Sequence, residues 1–102
     1  MTLITPLKQN NTLIGFKVSG HANYAPYGSD IVCAAVSGIT FNTINSIVEL
    51  TSQYIKTKID DGLVIYSVNK PNSKTRLLLE SALIGYRGIA EQYPDYVVIL
   101  EE

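Results

Sequence analysis

The chain has 102 residues, of which 46% are hydrophobic and 17% charged, and eight Lys and Arg against nine Asp and Glu give a formal net charge of -1. This length suits one domain with one core, and the composition excludes a disordered chain, which would be poorer in apolar and richer in charged residues. The balanced charge argues against a nucleic-acid partner, because such proteins usually concentrate a basic excess on one face. We expect residues 1–102 to form a single ordered domain.

The first part of the chain predicts two strands, a loop and a helix. Residues 2–8 are β-prone, but Pro6 lacks a backbone N–H, so we expect this strand at a sheet edge or interrupted there. Residues 14–19 alternate between apolar and polar or small, the period of a half-buried strand. Residues 22–29 hold Asn, Pro and Gly and are expected to form a loop. Asp30 is a good helix N-cap, and apolar residues follow it at steps typical of a helix: Val32, Val36, Ile39, Ile47 and Leu50.

The helix after Asp30 raises the question of a membrane span, because residues 31–48 form an uncharged run of 18 residues. Ser, Thr and Asn side chains are spread through this run, and the amides of Asn42 and Asn45 would be costly in hydrocarbon. We therefore expect no membrane partner. The prediction is a helix buried in a folded domain and covered on more than one side.

The second part of the chain predicts a hairpin, a helix and a closing strand. Residues 54–60 and 63–68 are β-rich and flank Asp61-Gly62, a strong signal for a tight hairpin turn. Pro71-Asn72-Ser73 then opens a helix that Pro94 ends, and its apolar face includes Leu79, Leu83, Tyr86, Ala90 and Tyr93. The apolar residues 96–100 are typical of a central strand buried on both faces, or of a strand in an interface.

The order ββαββαβ indicates an α+β fold, a two-layer sandwich with two helices on a mixed or antiparallel sheet. Two helices can cover one face of a five-stranded sheet, and this arrangement leaves the nearly all-apolar first helix short of partners. We therefore expect a homodimer. The N-terminal residues lack the basic and apolar regions of a signal peptide, and the single cysteine cannot form an intrachain disulfide. Both observations predict a cytoplasmic protein.

His21 and Cys33 are the residues that suggest chemistry. His21 follows the second strand and Cys33 lies in the first turn of the helix, so the compact loop between them can bring the two together. The N-terminal end of a helix stabilises a thiolate, and a neighbouring histidine can act as its base. Free N–H groups near Cys33 could also hold the oxyanion of a tetrahedral intermediate. The pattern therefore indicates cysteine acyl transfer, although a lone cysteine in a small domain can also be a buried structural residue.

Neighbouring residues have more than one interpretation. Asp30 could cap the helix or orient the imidazole of His21, and Ser37, one turn after Cys33, could support the thiolate or bond only to its own helix. Tyr24 and Tyr27 could form an aromatic lid or be exposed and idle. A metal site is disfavoured, because one His, one Cys and one Asp leave it short of ligands. No cofactor is expected.

The segment that begins Gly20-His21-Ala22, continues through Tyr27-Gly28 and ends in Asp30-Ile31-Val32-Cys33-Ala34-Ala35-Val36-Ser37 resembles the ribosomal-processing cysteine protease (Prp) family of Firmicutes and related bacteria. The resemblance is concentrated in residues 20–37, and the element order and total length are compatible with the family.

The resemblance implies a small cytoplasmic homodimeric endopeptidase that removes an N-terminal extension from large-subunit ribosomal protein number twenty-seven, cutting after an aromatic residue. By the same resemblance, Cys33 is the nucleophile, His21 is the general base, and Asp30 and Ser37 support them. The family's flexible loop over the active site corresponds to residues 22–29, and the substrate-contacting residues expected in or beside it are Gly20, Ala22, Asn23, Tyr24, Tyr27 and Gly28.

Two other functions remain open on the sequence alone. One is a binding module without catalytic activity that docks a ribosomal protein tail, and the other is a thiol redox sensor with an exposed Cys33. Neither needs a histidine beside the helix start, so the Gly-His and Asp-x-x-Cys arrangement favours the enzyme.

Overall fold

Five strands and two helices follow one another in the predicted order ββαββαβ. The computed structural model describes residues 1–100, and Glu101 and Glu102, the last residues of the predicted domain, lie outside the described residues. The elements are β1 (Thr2–Gln9), β2 (Thr12–Gly20), α1 (Ile31–Thr51), β3 (Lys56–Asp60), β4 (Leu63–Ser67), α2 (Ser73–Gln92) and β5 (Val97–Ile99). The predicted α+β class is confirmed.

The strands form one mixed sheet in the order β3-β4-β2-β1-β5. The pairs β1–β2, β2–β4 and β3–β4 are antiparallel, and β5 lies parallel to β1. The predicted hairpin is confirmed, because β3 and β4 pair on either side of Asp61-Gly62 and Gly62 has a φ of 68°. The sheet thus places the end of β2 next to the turn between β3 and β4.

The position of β1 differs in part from the prediction. Its first residues lie inside the sheet, because Thr2 to Ile4 pair with both β2 and β5. Among residues 1–100, β5 pairs with β1 only as far as Ile4, and Pro6 pairs with Phe16 of β2. No described strand lies on the other side of β1 at Pro6, so the described sheet needs no N–H donor from this proline. The edge prediction is therefore right at Pro6 and wrong for the start of the strand.

The closing strand is also placed differently. β5 is an edge strand of three residues, so the central-strand alternative is wrong, and a strand in an interface stays a prediction. Val97 is buried while Val98 and Ile99 are half-buried, because β5 pairs on one side only. An apolar run in the sequence indicates that its side chains are buried, but it does not indicate whether the strand pairs on one side or on both.

A chain of buried hydroxyl groups joins the helices to the sheet. The Thr40 hydroxyl on α1 lies 2.7 Å from the Tyr86 hydroxyl on α2, which in turn lies 2.8 Å from the Tyr66 hydroxyl on β4. Phe16 on β2 packs edge-on against Tyr86 with ring centroids 5.0 Å apart. Burial raises the pKa of both tyrosines above its usual value. These contacts fix α1, and therefore its first turn, relative to β2.

The helix α1 is buried on one face and open on the other. Val32, Val36 and Ile47 lie in the core, whereas the described structure leaves Ile31, Phe41, Val48 and Leu50 exposed. The expectation of a helix covered on more than one side is therefore wrong for a single copy of the chain. By length and composition α1 could also cross a membrane, a test that core helices pass as well.

Candidate active site

A cavity of about 510 Å³ opens where β2 ends and α1 begins. Its walls come from three segments: the residue after β2, the following loop and the first two turns of α1. The lining residues are His21, Asn23, Ala25, Tyr27, Gly28, Asp30, Cys33, Ala34 and Ser37. The sequence-predicted residues Gly20, Ala22 and Tyr24 lie outside this lining.

His21 and Cys33 reach the cavity from the ends of two fixed elements. His21 directly follows β2 and is half-exposed. Cys33 is the third residue of α1, is free and half-buried, and packs on one side against the core. A titratable imidazole and a thiol at a helix N-terminus therefore line one cavity, which is the pairing that cysteine-based acyl transfer needs.

Asp30 is the N-cap of α1 and also holds the loop. Its Oδ1 accepts the N–H of Cys33 at 2.9 Å, and its Oδ2 accepts the N–H groups of Tyr24 at 2.9 Å and Ala25 at 3.4 Å. The bond from Cys33 is the main reason why the pKa of the Asp30 carboxyl lies below its usual value. The predicted cap is confirmed, and both oxygens serve backbone N–H groups.

The Asp30 cap bears on the expected oxyanion site. The N–H of Cys33 donates to Asp30 Oδ1, and the N–H of Ala34 donates to the Asp30 carbonyl at 3.0 Å. The Cys33 N–H is therefore already bonded in this structure, as expected for a donor to the predicted Asp30 cap. An oxyanion that binds it has to displace the Asp30 carboxylate.

The loop formed by residues 22–29 is held at its beginning. The side chain of Ala22 is buried, and the Tyr24 ring packs edge-on against Tyr93 and Tyr96 at centroid distances of 5.5 and 5.1 Å. Tyr24 therefore turns to the closing segment of the chain and does not cover the cavity. Tyr27 is fully exposed at the cavity rim and is the aromatic side chain of this loop that could meet a substrate.

The other predicted residues take up distinct places. Ser37 lies at the cavity one helical turn after Cys33 and is exposed. Asn23 also lines the cavity, with a left-handed φ of 58°. The N–H of Gly20 donates to the Gly62 carbonyl at 2.9 Å, which ties the end of β2 to the β3–β4 turn.

Two residues that the sequence did not assign to the site lie beside the imidazole. The Asp61 carboxylate oxygen Oδ1 is 3.9 Å from His21 Nε2, and a Cβ on Gly62 would lie 3.1 Å from the same nitrogen. The sequence identified Asp61-Gly62 as a turn. The pairing of β4 with β2, which brings this turn to His21, depends on strand order and has no local signature.

Metal ligands are not grouped at the cavity. Among residues 1–100, no three or more His, Cys, Asp and Glu side chains are placed so that they could hold a metal ion. The lining does include one thiol and one imidazole, those of Cys33 and His21.

Sequence comparison assigns the site to a known class of enzyme. The sequence model of the family described as cysteine protease Prp matches residues 1–98. The chain belongs to this family. It is therefore a cysteine protease, and the match to Prp covers the first four strands, both helices, the whole cavity and all of β5 except Ile99.

Named relatives and solved structures agree with this assignment. The ribosomal processing cysteine protease Prp of Staphylococcus aureus is 35% identical over 83 residues, which cover 78% of each chain. A crystal structure of the Prp protease from S. aureus with a covalently linked product peptide has a TM-score of 0.91 at 29% identity, with both chains covered in full. A complex of that protease with a substrate peptide has a TM-score of 0.85 at 28% identity.

Proposed function

We propose that this chain is a Cys-His endopeptidase that removes the N-terminal extension of bacterial large-subunit ribosomal protein number twenty-seven during ribosome maturation. The observation that carries the proposal is that Cys33 and His21 line one cavity in a chain of the Prp family. The similar proteins are named for ribosomal processing, and the similar S. aureus protease holds peptides, one of them covalently linked.

In the proposed reaction His21 takes the proton of the Cys33 thiol, and the thiolate attacks the scissile carbonyl. The oxyanion of the tetrahedral intermediate binds at the start of α1, where the Cys33 N–H exchanges Asp30 Oδ1 for the substrate oxygen. The imidazolium then protonates the leaving amine, and water releases the acyl group from the sulfur. Asp30 supports the reaction by holding the loop through Oδ2 while Oδ1 is displaced, and Ser37 by its hydroxyl near the thiolate.

The substrate in this proposal is an extended peptide segment. The cavity is open, and its rim includes the exposed Tyr27 and Gly28. Such a site contacts several consecutive residues of a strand-like peptide along the loop, and specificity is spread over them.

The proposed assembly is a homodimer in the cytoplasm. Three large apolar side chains, Ile31, Phe41 and Val48, are exposed along α1 without an intervening charge. A second copy related by a two-fold axis would cover such a surface, since two-fold dimers are the commonest small homo-oligomers. Sedimentation at micromolar concentration should show a species of twice 11.2 kDa, and a single species of 11.2 kDa would refute the dimer.

The decisive experiment uses the host's own ribosomal protein with its N-terminal extension as substrate. The purified chain under reducing conditions should give one cut, located by mass spectrometry, and Cys33→Ala should abolish it while leaving the thermal unfolding midpoint close to that of the parent. Alanine suits the helix and the substitution removes one sulfur. His21→Ala should lower the rate comparably.

Each other outcome has a definite meaning. A cut that survives Cys33→Ala points to a contaminating protease and removes the evidence for this nucleophile. Tight binding of the ribosomal protein without a cut would replace the ribosomal substrate by a docking role. If Cys33 instead forms a reversible sulfenic acid or disulfide under mild oxidation, and no peptide is cut, the redox sensor is the better account.

A further inference from the structure

The turn between β3 and β4 lies beside the His21 ring. It comes from a different part of the chain than the loop and α1, which form the cavity. Hydrogen bonding within the sheet holds it there: β4 pairs with β2 up to Leu63 and Ser19, and the Gly20 N–H donates to the Gly62 carbonyl at 2.9 Å. The residue after Gly20 therefore emerges directly against the turn. Hydrogen bonds of the sheet therefore hold the backbone of the turn beside His21.

Both residues of the turn fit this contact. Gly62 has a φ of 68°, and any Cβ there would lie 3.1 Å from His21 Nε2, so glycine lets the backbone approach the ring. Asp61 places Oδ1 3.9 Å from the same nitrogen. Asp30, the carboxylate that the sequence offered as an orienter of the imidazole, has both oxygens bonded to backbone N–H groups.

We infer that Asp61 is a positioning residue of this protease, whose carboxylate stabilises the imidazolium that His21 becomes when it takes the Cys33 proton. The proton leaves the sulfur and arrives on the ring, so the ring gains one positive charge within 4 Å of the Asp61 carboxylate, and opposite charges at this distance attract each other. The inference rests on the proposed Cys33–His21 dyad and adds a third member from a different part of the chain.

The expected size of the effect follows from exposure. The Asp61 side chain is fully exposed and His21 is half-exposed, so the interaction belongs to the weak, salt-sensitive class of surface pairs. We expect Asp61→Asn to slow both kcat/KM and the alkylation of Cys33 by iodoacetamide at neutral pH by about two- to five-fold at low ionic strength. The difference should disappear in about 0.5 M salt.

Asp61→Asn removes the charge without changing the turn, because Asn-Gly forms the same tight turn as Asp-Gly. Asp61→Glu keeps the charge and should retain most of the parent rate. Asp60→Asn is the matched control: Asp60 is the neighbouring exposed carboxylate at the end of β3, and its removal should leave the alkylation rate unchanged. Thermal unfolding of all three variants checks that the hairpin is intact.

The result that supports the inference is a slowing confined to Asp61→Asn, removed by salt and rescued by Asp61→Glu. Equal rates for Asp61→Asn and the parent at low salt would overturn it. A slowing that persists in high salt would also overturn it, because it would show an effect of turn shape and not of charge. If His21→Ala alkylates as fast as the parent, the dyad itself fails, which is distinct from a failure of Asp61 alone.

Discussion

The two halves of the loop between β2 and α1 are held to different degrees. Residues 22–25 are fixed by the buried Ala22, by the packing of Tyr24 on two other tyrosines, and by two N–H bonds to Asp30. Residues 26–29 have one backbone bond within the segment, from the Ser29 N–H to the Pro26 carbonyl at 2.9 Å, and Tyr27 is fully exposed.

This difference limits what has to move when a peptide binds. Residues 22–25, the anchored half of the loop, are held to the start of α1, since Asp30 bonds to the loop and to the Cys33 N–H at the same time. We expect residues 26–29, the free half of the loop, to move without displacing His21 or Cys33. We therefore expect the mobile part of the proposed substrate loop to be four residues long and not eight.

The largest effect should come from removing the anchor shared by the loop and the helix. Asp30→Ala frees the N–H groups of Tyr24, Ala25 and Cys33 at once, and displacing catalytic groups by about 1 Å can cost on the order of 10²-fold in rate. We expect a loss of kcat/KM of that order. Asn72→Ala is the matched control, because Asn72 caps α2 in the same way far from the cavity. It should cost about 1 kcal/mol of stability and leave activity unchanged.

The Asp30 anchor should also depend on pH. The pKa of its carboxyl is lowered in the folded protein, so its contribution to stability is fully present above the usual aspartate value of about 3.9 and is lost as the pH falls through the lower folded value. The unfolding midpoints of the parent and Asp30→Ala should therefore differ at neutral pH and converge in acid. A constant difference down to pH 2 or below would show that the charge of Asp30 does not provide the anchor.

The next largest effect should come from the aromatic part of the anchor. Tyr24→Ala removes two edge-on ring contacts, with Tyr93 and Tyr96, and should lower the free energy of unfolding by about 1–2 kcal/mol. Urea denaturation measures this value. Hydrogen exchange should show faster exchange at the Tyr24 and Ala25 amides. Unchanged exchange there would mean that Asp30 alone holds the first half of the loop.

A smaller effect is expected at the tip of the free half. Gly28 has a φ of 90° and open space around it, so Gly28→Val is penalised by backbone conformation alone, by about 1 kcal/mol. We expect a fall in kcat as the tip stiffens, and a smaller fall for Gly28→Asn, since Asn tolerates positive φ. Gly88→Ala, also in open space but inside α2, should be slightly stabilising and leave kcat unchanged.

The smallest effect on stability is expected at Tyr27. Its side chain is fully exposed, so Tyr27→Ala should change the free energy of unfolding by less than about 0.5 kcal/mol. Its effect should appear instead as a raised KM for the peptide substrate, because the ring lies at the cavity rim. A stability loss equal to that of Tyr24→Ala would erase the distinction between the two halves of the loop.

Local chemistry made part of this site predictable from sequence. Asp30 and Asn72 cap their helices, and Asp61-Gly62 makes the turn, because each of these residues satisfies a backbone requirement within a few positions of itself. The element order followed from the same signals. The sequence also placed His21 at a strand end and Cys33 at a helix start joined by a short loop, and both line one cavity.

The remaining features depend on contacts between distant segments. β5 pairs with β1 across almost the whole chain, and no local pattern distinguishes an edge strand from a central one when both are apolar. The packing of Tyr24 on Tyr93 and Tyr96, and of Asp61 on His21, likewise joins residues 40 or more positions apart. Sheet order decides these contacts.

The buried hydroxyl chain between the sheet and the helices gives the protein an optical reporter of its own unfolding. The protein has no tryptophan and seven tyrosines. Burial raises the pKa of two of these tyrosines, Tyr66 and Tyr86. The stability that their neutral forms provide is present below the unfolded tyrosine value of about 10 and is lost as the pH rises above it. In alkaline solution the ultraviolet absorbance of tyrosinate should therefore include a step from two residues that coincides with loss of the helical circular dichroism signal.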